Sequence, residues 1–526
     1  MSIAVEPRTS TPTREPSEAE TAIPTPEDAP LTARRIAHED LSDARKNVIM
    51  VSVVGTQLVQ LVAFGGGVLA GRVVPAALGE TSQAANAWVA ASYPLTQGAF
   101  ILPGGRLGAV FGHHRILFVG AVLWVAFSLG SAFSPNFIAF CILRAFSGVG
   151  GGIMVPNAIA LLCITFPPGP KRNLALGMFG AAAPVGAAGG SIICGVIFQF
   201  AAWKWVFIFL ALLGLVVFGI AFIATPPDAP LAPDGQIDIV GSVLGVSALF
   251  LFNFVWNQAP VVGWPTPYEY ILLIVSILCA ATFVFWEARI AKEPVLPLSI
   301  WTRPSFGAIV AVVCLSLMGF GVFLWYLFLW NTNLRGYSLT ATGASVAPFI
   351  LTAGTMAVIS AMLVSRVRVE IIMALGVCSI GIANILLATM PVQETYWAQV
   401  FPAIVIAGAG PDLLLTAAQV IASNAVRRAE QGVAGSLIGV VNTYALSTGL
   451  GFAGTVETYV NDHGRNVVKG YRGALYLGIG FCVLGLALNL LFVRMPADTK
   501  RGWDEDDLKE REVASTMVEE KTSNGV

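Results

Sequence analysis

The chain has 526 residues, 56% of them hydrophobic and 12% charged, against about 25% charged in an ordinary soluble domain. Of the 30 basic and 31 acidic residues, fifteen fall in 1–46 and fourteen in 495–526, leaving 32 for the 448 positions between. That distribution excludes a soluble globular protein, and a net charge of −1 gives no electrostatic basis for binding nucleic acid.

Residues 1–46 are rich in Pro, Thr, Ser and Glu and lack an apolar periodic run. They are expected to form a disordered tail, because they cannot bury enough surface to offset the entropy of ordering. No basic-then-apolar start precedes a small-residue cleavage site, so the segment does not read as a signal peptide. From Asn47 onward fourteen apolar runs follow, near 47–70, 87–107, 115–133, 137–164, 174–198, 203–224, 237–256, 269–289, 305–330, 342–364, 370–390, 396–425, 432–458 and 473–493. Each is long enough for a membrane-spanning helix, and none shows the period-two alternation of a barrel strand. The expected fold class is an all-α polytopic membrane protein.

An even number of spans puts both tails on one face. Eighteen Lys and Arg residues border that face, among them Arg45, Lys46, Arg106, Arg115, Lys171, Arg172, Arg366 and Arg368, against six on the other: Arg72, Lys204, Arg335, Arg465, Lys469 and Arg472. The positive-inside rule then places both termini in the cytoplasm. The seven cysteines fall one to a run, without CxxC spacing or a nearby histidine, and read as small core residues. No metal or cofactor is expected. Residues 495–526, with Asp504, Glu505, Asp506 and Asp507 clustered, read as a solvated cytoplasmic tail.

The basic loop after the second run, at Arg106 and Arg115, has a counterpart after the tenth, at Arg366 and Arg368. These become equivalent positions if the seventh and eighth helices are an insertion between two six-helix halves. The expected organisation is a bundle over 47–224, a linker with two inserted helices over 225–304, and a second bundle over 305–494. The Pro-rich loop 225–238 is the join, and a substrate site lies between the halves near the midplane.

Several stretches carry a family resemblance. The run Pro103-Gly104-Gly105-Arg106-Leu107-Gly108-Ala109-Val110-Phe111-Gly112-His113-His114-Arg115 resembles the loop signature of the major facilitator superfamily, and Leu143-Arg144-Ala145-Phe146-Ser147-Gly148-Val149-Gly150 resembles its Arg-x-x-x-Gly-x-Gly motif. Gly180, Ala183-Pro184, Gly186 and Gly189-Gly190 resemble the antiporter motif of the fourteen-helix drug:proton antiporter branch. The stretches 252–264, 430–437 and 449–457 look like fungal members related to aminotriazole and boron resistance transporters. The resemblance implies the major facilitator fold, two six-helix bundles plus two inserted helices.

Particular residues follow. Arg106 and Arg115 flank a glycine-rich loop that serves either as a gate latch or only as a topogenic basic loop. The family has Asp where this chain has Ala109, so a carboxylate latch at that position does not carry over. Arg144 lies about seven residues into an apolar helix and needs a partner or water; by resemblance it takes part in proton or substrate coupling, and a structural arginine is the plainer reading. Asp412, after Gly408-Ala409-Gly410-Pro411, stands out as the acidic residue well inside a predicted helix. A carboxylate in such a site is able to bind and release a proton in the physiological range. It is the expected proton-coupling group, the alternative being structural pairing with the helix break near Pro411. Pro184, Gly186, Gly189 and Gly190 make a thin, kinkable fifth helix. Many bacterial relatives carry an Asp in the first helix, where this chain offers Thr56, Gln57 and Gln60. Gln57, Gln60, Trp325, Tyr326 and Asn442 are candidates to line a substrate cavity, as are Asn253, Trp256, Trp330 and Tyr444. Trp256 and Trp330 also suit interfacial anchoring, and Asn253 lies on an inserted helix expected to pack outside the core.

The expected function is proton-coupled efflux of small organic compounds by alternating access, by a monomer in the plasma membrane or, alternatively, the vacuolar membrane. Its partners are a small-molecule substrate, protons and the lipid bilayer, with no nucleic acid. The alternatives are transport of a small polar solute such as borate, ammonium or an amino acid, and a non-transporting membrane receptor. The chain lacks a Gly-x-x-x-x-Gly-Lys-Ser/Thr loop, and its four histidines lie in tails or loops, so neither self-contained ATP drive nor an enzyme is expected.

Overall fold

The computed structural model describes residues 41–494 except 81, 83, 167–169, 229, 231, 233–234, 304, 365, 427–430 and 463. Most of the expected N-terminal tail and all of 495–526 lie outside the described residues. The tail boundary at 46 needs correction, because helix α1 already begins at Asp43. Ser42 caps it, its hydroxyl accepting from Arg45 N at 3.4 Å, and Asp43 in the first turn suits the positive end of the helix.

Fourteen long helices follow one another: α1 (Asp43–Ala77), α2 (Ala87–Phe111), α3 (His113–Ala132), α4 (Phe137–Thr165), α5 (Pro170–Phe200), α6 (Lys204–Ala224), α7 (Ile239–Val262), α8 (Pro267–Arg289), α9 (Phe306–Leu329), α10 (Ala347–Leu363), α11 (Val369–Thr389), α12 (Phe401–Ala425), α13 (Gln431–Val460) and α14 (Val467–Phe492). A short helix, Leu339–Ser345, leads into α10, and a π-helical turn, Tyr396–Val400, leads into α12. Thirteen of these segments are long and apolar enough to cross a membrane by length and composition, α2 with its internal polar residues being the exception. Helices are the answer here because a bilayer core offers the backbone no other hydrogen-bond partner.

Neighbour relations repeat along the chain. In the first half α1 packs on α5 and α6, α2 and α3 pack on α4, and α3 packs on α6. The same scheme recurs when α7 and α8 are set aside: α9 on α13 and α14, α10 and α11 on α12, α11 on α14. Close approach relies on glycine. A Cβ at Gly190 of α5 would stand 2.5 Å from the Val62 backbone of α1, and one at Gly150 of α4 would stand 2.6 Å from Gly120 O of α3. Between α2 and α3 the chain turns at Gly112 with φ 96°, a conformation that side chains resist.

The halves meet along two seams. One joins α2 to α13, the other joins α5 to α10 and its leading short helix. The inserted α8 packs chiefly on α7, whereas α7 lies across the α2–α13 seam. Asn253 of α7 is fully buried there: its amide donates to Thr448 Oγ1 at 2.8 Å, and Ser447 Oγ lies 2.9 Å from Asn253 Oδ1 and 3.1 Å from Ala91 O of α2. Tyr444 donates to Leu249 O at 2.8 Å, and Trp256 stacks face to face on Phe452 with centroids 3.8 Å apart. Asn253, Trp256 and Tyr444 thus bind the inserted α7 to α13 of the second half, while Trp88 Nε1 of α2 donates to Gln258 Oε1 at 2.9 Å and ties α7 to the first. Replacing Asn253 with Ala should cost about 1 kcal/mol, the scale of interhelical hydrogen bonds in membranes. The check is the melting temperature of the detergent-solubilised protein, which should fall by a few degrees; an unchanged value would contradict this account.

Candidate functional site

In the first half the polar residues meet around Arg144. It is 3% exposed, its guanidinium lying against Gly67 of α1, where only glycine leaves room, and 5.8 Å from the ring centroids of both Tyr93 and Phe207. No carboxylate pairs with it among the described residues, and its Nε has no hydrogen-bond partner. Trp124 Nε1 donates to Tyr93 OH at 3.1 Å, holding that ring in place. Gln60 is fully buried and accepts from Gln97 Nε2 at 3.1 Å, tying α1 to α2. Gln57, one turn earlier, keeps a buried Oε1 without a partner.

The second half supplies the carboxylates. Asp412 lies near the middle of α12, partly buried, and no hydrogen bond or ion pair to it is found among the described residues. Asn442 of α13 is likewise partly buried. Tyr326 is 1% exposed and donates to Glu457 Oε2 at 2.7 Å. Trp330 is fully buried rather than set at a lipid interface, with the Arg472 guanidinium 6.0 Å from its ring centroid. Sequence reasoning passed over Glu457, because it falls beside the end of a predicted run that the helix in fact extends to Val460.

A cavity of 630 Å³ opens between the halves on the face where α1 ends and α14 begins, lined by Gly71, Arg72 and Asn86 from the first half and Leu329 and Asn333 from the second. Trp325 packs against Gly71 of that lining: a Cβ on Gly71 would stand 2.8 Å from the indole. Beneath it, Trp325, Phe64, Pro94 and Leu446 enclose a residual void of only 10 Å³, too small for more than one water. On this side the seam is packed shut at depth.

At the other face, Arg106 lies inside the last turns of α2 and not in a loop, and the end of α2 and the start of α3 are held by the two linkers that flank the inserted helices. Arg106 donates to Gln236 O at 2.8 Å and pairs with Glu293, which also accepts from Gln236 N at 3.2 Å. Arg115 is exposed and makes no ion pair among the described residues. Asp228 accepts from the backbone N–H groups of His113 and His114 at 2.9 and 2.8 Å, capping α3, whose own N-cap is Gly112. Ala232 N donates to Ala109 O at 2.9 Å in the same segment. The carboxylate that reaches this segment comes not from position 109 but from Asp228 in the linker, 115 positions beyond His113. Replacing Asp228 with Ala should cost about 1 kcal/mol, the worth of a helix cap. It should also lower amide-exchange protection at the start of α3, and unaltered protection there would refute the capping role.

Among the antiporter-motif residues, Pro184 is buried inside α5, Gly186 faces Leu58 O and Gly190 faces Val62 of α1, while a Cβ on Gly189 would meet nothing within 4 Å. The motif's tight contacts are thus between α1 and α5.

Two six-helix halves related by a repeated packing scheme, with a cavity between them and buried unpaired polar groups in each, define a secondary transporter. The sequence profile of the Major Facilitator Superfamily matches residues 58–452, and the chain belongs to that family. It is 35% identical to the low affinity ammonium transporter of Saccharomyces cerevisiae, over 79% of this chain and 82% of that one. It is 33% identical to the aminotriazole resistance protein of the same yeast, over 78% and 77%, and 32% identical to the efflux pump terJ of Aspergillus terreus, over 87% and 90%. Among solved structures, an auto-inhibited POT family peptide transporter superposes with a TM-score of 0.60 at 14% identity, covering 86% of this chain and 99% of that one, a likeness of fold alone.

Proposed function

We propose that this transporter exports small organic compounds in exchange for protons, by alternating access between the two halves. The observation that carries the reading is Asp412, a carboxylate held in the middle of a membrane helix without an ion pair or hydrogen bond among the described residues. An insertion cost of a few kcal/mol for such a group is hard to account for structurally when it bonds to nothing. Arg144, buried in the other half without a counter-ion, is the second member, sensitive to the charge state of proton or substrate. The efflux pump and the aminotriazole resistance protein among the relatives support the outward direction. Gln57 and Asn442, each with hydrogen-bonding capacity to spare, are the proposed substrate contacts. Arg106 with Glu293 is the proposed latch, and the basic residues of that face support a cytoplasmic side for both termini.

The similarity to an ammonium transporter favours a second reading, movement of a small polar cation. Purified protein in proteoliposomes separates the two. An imposed pH gradient should drive uptake of 3-aminotriazole or puromycin into acid-loaded vesicles under the first reading, and of methylammonium alone under the second. Flux indifferent to the gradient with every probe would remove proton coupling from both.

A further inference from the structure

The 630 Å³ cavity gives way to closed packing at the same depth on three helices. On α1 it is lined by Gly71, while Val68 one turn deeper faces the 10 Å³ void; at the start of α2 the order is Asn86, then Ala90, and on α9 it is Leu329, then Trp325. Each step is three or four residues, about 5 Å along a helix. At this level Trp325 reaches from the second half to the first. It is 6% exposed, and a Cβ on Gly71 would stand 2.8 Å from its Cη2, at the tip of the indole. The void left around the ring holds no more than one water, so nothing larger passes between Trp325 and α1 as they stand. Gly67, one turn deeper than Gly71 on the same face of α1, receives the Arg144 guanidinium. Trp325 therefore stands between an open vestibule and the buried arginine of the first half.

Packing alone holds this ring. Trp88, Trp124 and Trp286 each donate an indole N–H to a side-chain oxygen, at 2.9, 3.1 and 3.0 Å. No hydrogen bond from the Trp325 N–H is found among the described residues. The indole can thus leave Gly71 without breaking a polar contact, and the partner it leaves is a glycine, whose bare backbone gives the ring tip a seat that any side chain would fill.

We propose that Trp325 is the gate residue of the transport path on the vestibule face. With its indole seated on Gly71 the vestibule is sealed from the polar groups around Arg144, and lifting the ring off Gly71 joins the two. The proposal rests on the alternating-access reading above and adds to it the side chain whose movement opens this face.

The test reads access directly. Ala90 is 4% exposed and lies behind the ring, so Ala90→Cys, in full-length protein whose seven native cysteines are replaced by alanine, places a thiol beyond the gate. The protein is reconstituted in proteoliposomes of defined orientation, and a membrane-impermeant methanethiosulfonate reagent is applied to one face at a time. From the vestibule face the thiol should react at least about tenfold faster in Trp325→Ala than with Trp325 present, because the closed state loses the packing of a buried indole. Gly71→Ala, which sets a methyl group where the ring tip lies, should raise the rate in the same direction. Rates unchanged in both variants overturn the proposal. So does an equal rise from both faces, which marks a bundle loosened as a whole with Trp325 as mere core. Should Trp325→Ala not fold, Gly71→Ala carries the test, and an unchanged rate there overturns the proposal. The labelling uses no transported solute, so a wild type that moves neither 3-aminotriazole nor methylammonium overturns the export reading, while the gate stands or falls on the labelling rates.

Discussion

In Asp412→Asn, transport driven by a pH gradient is expected to fall by on the order of a hundredfold or more, the scale on which proton-transfer groups act. Asparagine has the same shape and keeps a polar head, but it cannot carry the proton. The variant should insert and fold as the wild type does, because no hydrogen bond or ion pair to Asp412 is found among the described residues to be lost. Gradient-driven flux of 3-aminotriazole and methylammonium in proteoliposomes is the measurement, with size-exclusion elution as the control for folding. Wild-type flux in this variant would remove Asp412 from the coupling mechanism. Folding lost together with flux would instead assign it to the structure of the helix around Pro411.

A large effect on stability is expected from Gly150→Leu. A Cβ at this position would stand 2.6 Å from Gly120 O and 2.7 Å from Trp124 N, backbone atoms of α3 that cannot rotate aside as a side chain would. The α3–α4 crossing must therefore open, at a cost of about 3 kcal/mol or more for the added bulk. The damage would not stay local, since Trp124 holds the Tyr93 hydroxyl that lies beside Arg144. The yield of monodisperse protein after extraction should drop severely. Gly177→Leu on α5 is the matched control, because a Cβ there meets nothing within 4 Å, and it should extract normally. Equal yields from the two variants would mean that the crossing is softer than its geometry implies.

The fourteen helices were legible in the sequence because a membrane span must be about twenty apolar residues long, and little else satisfies that condition. Their ends differ by a few residues: α14 starts at Val467 where its apolar run begins at 473, and at α1 Ser42 and Asp43 start the helix inside what composition alone assigns to a tail. The family was legible in the loop and helix motifs. The individual roles of polar residues were not. Asn253 reads as a passenger on an inserted helix, yet its partners Ser447 and Thr448 lie more than 190 positions away and nothing local announces them. Tyr326 reads as a cavity side chain, whereas its hydroxyl is engaged by Glu457, 131 positions on. Arg106 is visible as a basic residue near a helix end, but its partner Glu293 lies beyond six further helices, α3 to α8. Asp228 sits in a Pro-rich join with no pattern to mark it as the cap of a helix that begins at His113. In each case periodicity shows that a polar residue is present, while only the tertiary arrangement shows what answers it.

The placement of α7 makes the two seams mechanically unequal. Along one, a single helix is stitched to both halves by Asn253 and Ser447, and by the 2.9 Å bond from Trp88 Nε1 to Gln258 Oε1. At the other, where Thr340 N donates to Gln199 Oε1 at 3.0 Å, no inserted helix bridges the halves in this way among the described residues. A book opens along its free edge and turns about its spine. In this molecule α7 is the binding, so any parting of the halves is expected to be greatest on the side of α5 and α10.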